Sequence, residues 1–273
     1  MVTVDPISVA VDLAKQIVAK IHKAMETAAK AAAQVGGAAP QFKAVSSHDT
    51  LRAAVIAAHE KDSQHLDNAT KALSVVSPAL GRAIAAAQVA GNALHAKNLA
   101  LLDEQRAHLA EAEAIAGRAV TDLRNHEKVW AAQQAALREV AQVTARLRSI
   151  PSWKGMASSG YGGAADGQIN AVAQLVAGSL HMPGSIKGVA DLNETIMSNI
   201  ATGVLVITSQ IKSVPLQAPG SFACTRGATQ QVLLVWEHLQ AEIEGVTVRN
   251  KVDEVQALVD SSRAAIPHPW PTT

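Results

Sequence analysis

Residues 123–150 read LRNHEKVWAAQQAALREVAQVTARLRSI. Apolar residues recur here at intervals of seven. Leu123, Trp130 and Leu137 form one row, Val140 and Leu147 another, and Val129, Ala136, Val143 and Ile150 an adjacent one. Two helical turns take about seven residues, so each row stays on one side of a helix. Such a stripe calls for a second long helix packed along it, nearly parallel or antiparallel. The stretch therefore predicts an all-α protein, an elongated antiparallel helical bundle, with Trp130 in its core.

The flanking sequence extends this reading. Pro78 to Arg148 contains no internal proline. One helix of that length would reach roughly 105 Å at ~1.5 Å per residue; Gly81, Gly91 and Gly117 are the points at which it would bend or break. Upstream, Asp5-Pro6 pairs a capping carboxylate with a first-turn proline. Val9, Leu13, Ile17, Ile21, Met25, Ala28 and Ala32 then share one helical face, ended by Gly36-Gly37 and Pro40. A second helix starts at Ser47 or Asp49, carries Leu51, Val55, Ala58, Asp62 and Leu66, and ends near Ser77-Pro78.

Downstream, Pro151 ends the long helix and the segment SWKGMASSGYGGAADG is rich in turn formers. Helical spacing resumes from about Gln168, with Val172, Leu175, Val176 and Leu180 on one face. Met182-Pro183-Gly184-Ser185 interrupts it. Ile186, Val189, Leu192, Ile196 and Ile200 restore it, and the pattern continues through Leu205 to Ile211. Pro215 to Gly227 reads as a loop. A last helix carries Val232, Val235, Trp236, Leu239, Ile243, Val246, Val252, Val255 and Leu258, and the proline-rich tail around Trp270 is not helical.

Composition agrees. The 273 residues are 48% hydrophobic but only 3% aromatic, so Ala, Val, Leu and Ile supply the apolar area. Alanine forms helix without losing side-chain entropy, and the aromatic strand formers are scarce. With 24 basic and 23 acidic residues and a net charge of +1, there is no basic stripe for nucleic acid.

Catalytic constellations do not emerge. Cys224 is the single cysteine, which excludes an internal disulfide and a Cys-based zinc site. It falls in the Pro215–Gly227 loop and reads as incidental. Ten histidines invite a metal search. Asp62 lies three residues from both His59 and His65, and Glu104/His108 and His22/Glu26 are each four apart. A buried four-helix metal site needs Glu-x-x-His pairs on two helices, and none occurs. These clusters read as solvated faces. Ser46-Ser47-His48-Asp49 holds triad residue types, but consecutive residues cannot form a triad, and the run reads as a helix cap. Gly160-Tyr161-Gly162-Gly163 lacks the lysine and strand of a phosphate loop. The expectation is a non-enzymatic protein with no catalytic, cofactor or metal site.

The corner after Pro151 is the sharper clue. Gly155 can adopt backbone angles that other residues resist. A ring at Trp153 can fold over the open end of a helical hairpin, and Tyr161, the only tyrosine, follows eight residues later. Trp153-Lys154-Gly155, Ala157 and Tyr161 resemble the Trp-x-Gly bend of the WXG helical-hairpin family, substrates of type VII secretion in actinobacteria and firmicutes. The resemblance spans roughly residues 112–206. It implies a secreted or cell-surface helical protein, exported by a leaderless route, that associates with a helical partner or with itself and engages a secretion ATPase. It assigns Trp153, Gly155 and Tyr161 structural or secretion-recognition roles. The family's export signal is Tyr-x-x-x-Asp/Glu, whereas Tyr161 and Asp166 are five apart. Either a partner carries the signal, or the protein does not leave by that route.

The resulting division is 1–97 for N-terminal helices packing on the bundle, 98–213 for the hairpin, 214–264 for a loop and C-terminal helix, and 265–273 for a disordered tail. The N-terminus lacks a basic region, and Asp5 and Asp12 interrupt its apolar residues, so no Sec signal is expected. Thr195 to Ile211 is the least charged long stretch, short of the ~18–20 apolar residues of a membrane span, and reads as a buried helix. Two other functions remain open: a membrane-active toxin or pore former that releases Ile196 to Ile211 onto lipid, and a cytoplasmic or phage-associated structural bundle.

Overall fold

A computed structural model describes residues 41–73, 78–148, 154–244 and 246–264. The expected N-terminal helix, Trp153 and the 265–273 tail lie outside the described residues. All described regular structure is helical: α1 (Ala44–Leu73), α2 (Pro78–Thr144) with a closing 3-10 turn (Ala145–Arg148), α3 (Met156–Ser179), α4 (Met182–Ser213), α5 (Ala223–Glu244) and α6 (Val246–Ala264). The all-α expectation holds.

Several boundaries differ from the sequence expectation. α1 begins at Ala44, before Ser47 and Asp49. The Ser47 amide already donates to the Lys43 carbonyl at 2.8 Å, and the Ser46 hydroxyl donates back to that carbonyl instead of capping. α2 runs unbroken through Gly81, Gly91 and Gly117. α3 starts at Met156, so Gly160, Gly162, Gly163 and Gly167 are helical and do not delay it. Each glycine costs about 1 kcal/mol relative to alanine, too little to stop a helix whose Ala165 and Ala171 pack inward. The break at Pro183 is present: α3 ends at Ser179, and Pro183 falls in the first turn of α4, where its missing amide costs little. The last helix is divided into α5 and α6.

The chain forms two compact units. The first comprises residues 39–119 and 192–249, and so takes α1, the first part of α2, the last part of α4, and α5. Contacts fix the helix directions. Between α1 and α2, the Val45 amide donates to Glu113 (2.9 Å), and the pairs His48–Gln105 and Arg52–Asp103 advance in opposite senses. α5 runs with α2: the Asn98 and Gln105 amides, seven residues apart, donate to the carbonyls of Thr225 and Val232, also seven apart. α4 opposes α5, with Asn199 donating to Glu242 at 2.9 Å and Gly227 lying against Val214. The result is a four-helix bundle. Its core draws Leu51 and Val55 from α1, Leu102 and Leu109 from α2, Val204 and Ile211 from α4, and Val232 and Val235 from α5. Burial of each such side chain contributes about 1.5–3 kcal/mol.

The second unit, as far as described, comprises residues 120–191 and 250–264. The Gln134 amide donates to the carbonyls of Ser179 (3.4 Å) and Leu180 (3.3 Å), and the turn Ala145–Arg148 packs on α3. Val140, Val143, Ala165 and Ala171 are buried here. Arg124 bridges Asp191, which Lys187 also contacts. Trp130 is only half-buried, not a core residue as its spacing predicts.

Candidate functional site

Gly155 has φ +105°, a conformation L side chains rarely adopt, and sits immediately before α3. The Ser159 amide donates to the Gly155 carbonyl at 3.2 Å, which closes the first turn. Met156 is exposed, and Tyr161, within the first two turns of α3, is half-buried. Of the three residues expected to mark the corner, Gly155 and Tyr161 are thus described, at the start of α3.

One heptad row of α2 meets a groove in the second unit. Trp130 and Leu137 line it with Leu175, Met182, Val259 and Arg263. The groove has a volume of about 480 Å³ and is predominantly apolar, within the range of ligand and side-chain clefts. The seven-residue row therefore leads to an open surface as well as to a packed seam.

The first unit holds a buried polar cluster. Asp62 on α1 accepts hydrogen bonds from the first turn of α5: the Thr225 amide (2.7 Å), the Thr225 hydroxyl (2.9 Å) and the Cys224 amide (3.3 Å). It is an N-cap supplied by another helix, which satisfies amides that a helix start leaves open. Asp62 is only 6% exposed, so its expected place on a solvated face is corrected. The Thr225 hydroxyl gives its single proton to Asp62, so His59 Nδ1, at 3.4 Å, donates to the hydroxyl oxygen. Ser63 then donates to His59 Nε2 at 3.5 Å. The His59 ring stacks on His95 with centroids 4.1 Å apart and planes 5° apart, and Phe222 covers its surroundings at 5.7 Å.

Phe222 has φ +50°, a strained conformation for a bulky residue. Its ring lies against Gly91, where an added Cβ would overlap it. Cys224 is likewise corrected: it belongs to α5, not a loop, and is 1% exposed. Its thiol donates to the Val214 carbonyl, and burial, then the Asp62 charge, raise its pKa. His48 is not a cap residue. It is fully buried, meets Gln105 at 3.3 Å, and burial lowers its pKa.

Among the described residues, no group of three or more His, Cys, Asp or Glu is placed to hold a metal ion. None of the described helices is long and apolar enough to cross a membrane. Within Ile196 to Ile211, Ile200, Val204, Ile207 and Ile211 are buried in the bundle core, while Leu205 and Val206 are exposed. No known family, no characterised protein and no solved structure matches this chain.

Proposed function

We propose that the protein works by helix–helix association, as a substrate of a type VII secretion system. The observation that carries the association is the open groove in which Trp130 and Leu137, one heptad apart, present apolar surface beside Leu175 and Val259. Side chains from a partner helix, or from a second copy, fill such a groove through burial of apolar area at about 25 cal/mol per Å², less the cost of association. Export rests on the corner. The positive φ at Gly155 supports a chain reversal at the Trp-x-Gly position, and the Gln134 bonds to Ser179 and Leu180 support an antiparallel return. In this reading Trp153, Gly155 and Tyr161 are the residues that a secretion ATPase or a co-exported partner recognises.

Replacing Trp153 with Arg tests the export reading. Helicity by circular dichroism stays near the parent value while export from a host with a working type VII system is lost. Export of the variant at the parent level would refute it.

A further inference from the structure

The polar cluster of the four-helix unit has a property that neither association nor export uses. His59 and His95 stack face to face, so their ring nitrogens point sideways and cannot share a proton. His59 as a neutral ring satisfies both nitrogens, through Thr225 and Ser63. His95 Nδ1 is buried with no hydrogen-bond partner. A protonated imidazole has two N–H donors and carries a charge. His95 is half-buried, and an added proton or charge there meets the buried Nδ1 position and the stacked His59 ring.

We propose that the His59–His95 stack is an acid-sensitive latch: protonation of His95 frees the 214–222 loop and the first turn of α5, uncovering Cys224. Three observations place the opening there. Phe222, beside His59, holds a strained φ of +50°, which relaxes when its ring leaves the Gly91 surface. The first turn of α5 depends on Asp62, which shares Thr225 with His59. The Cys224 thiol is closed off by the Val214 and Pro215 carbonyls of the same loop.

The charges around the stack do not offset the added proton. Those acting on His95 come from α1: His59 and Arg52 oppose protonation and Glu60 favours it, and burial with His59 keeps the imidazole below its ordinary pKa. α5 presents neutral Thr225 and the Asp62 carboxylate it has drawn in. His48, deeper along α1, adds in the same sense. Burial lowers its pKa against opposing contributions from Gln105, Asp49 and Asp103, with Arg106 helping to lower it. The sign follows. Both folded-state values lie below 6.5, so the closed form is favoured above about pH 6.5 and loses stability as pH falls below it, by up to about tenfold per pH unit for each histidine.

Cys224 supplies the readout, as the only thiol in the chain. The full-length protein is treated with dithiodipyridine, which reports thiols in acid, between pH 8 and pH 5. Rates are divided by those of the urea-unfolded chain at each pH. Protection at pH 8 and a rise of tenfold or more by pH 5 are expected. His95→Gln reduces the acid rise, leaving only the part that His48 carries, while the exposed-site control His126→Gln follows the parent. Should His95→Gln already expose the thiol at pH 8, His95→Phe, which keeps the stacked ring, decides. Equal normalised rates at pH 5 and pH 8 in the parent overturn the proposal, as does acid exposure undiminished in the protected His95 variant.

Discussion

Replacing Asp62 with Ala removes the acceptor that closes the start of α5. Two backbone amides, of Thr225 at 2.7 Å and Cys224 at 3.3 Å, lose their partner inside the bundle. The Thr225 hydroxyl can rotate toward another acceptor, so the amides dominate. An unsatisfied buried donor costs about 1–3 kcal/mol, and loss of an N-cap typically about 1 kcal/mol. A local loss of about 3 kcal/mol is expected in the four-helix unit. Because the two units need not unfold together, amide exchange in the second turn of α5, residues 227–231, is the suitable assay. A loss of 3 kcal/mol accelerates exchange there by about two orders of magnitude. Asp62→Asn, which keeps one carbonyl acceptor, falls between parent and Ala. Acceleration by less than about fivefold in Asp62→Ala would show that the cross-helix cap does not hold α5 in place.

Two glycines on α2 give opposite outcomes for one substitution. Gly91→Ala drives a Cβ into the Phe222 ring and costs about 1–3 kcal/mol, whereas Gly81→Ala, in open space, gains about 0.5–1 kcal/mol; paired thermal melts separate them. In the second unit, hydrogen bonds from Lys187 and Arg124 hold the Asp191 carboxyl below its ordinary value of 3.8. The stabilisation it gives is present above that value and disappears as pH falls below it. Asp191→Asn therefore lowers stability at pH 7 by about 0.5–1 kcal/mol and has almost no effect near pH 2, measured as urea midpoints. Trp130→Glu places a charge in the groove. It leaves the far-ultraviolet spectrum unchanged and weakens association by about ten- to a hundredfold in sedimentation velocity, the equivalent of one lost apolar anchor.

Much of the architecture was legible because helices are written locally. The proline-free run after Pro78 gives α2, and Pro183 marks the α3–α4 break to within a few residues. The failures share one cause, a partner distant in sequence. Thr225, Arg226 and Gly227 read as loop because nothing nearby caps them; their cap is Asp62, 163 residues away from Thr225. The same pairing turns Asp62 inward from a stretch, His59 to His65, that looks uniformly polar. His48 reads as a cap because Ser46, Ser47 and Asp49 surround it, yet its ring is buried against Gln105 on α2. Asn98 and Gln105 carried a usable signal: two amides seven apart on an otherwise apolar face mark a buried polar seam. Trp130 shows the converse limit. Heptad spacing identifies an apolar stripe but not whether the described helices cover it.

The proposed function requires export of a helical protein through a type VII channel. Its most direct measurement is the amount of the full-length chain outside cells, in a host with the secretion ATPase intact and in the same host lacking it. Release in the first host and retention in the second is the expected result. Equal amounts outside both hosts, or none outside either while the protein accumulates folded within, would contradict it.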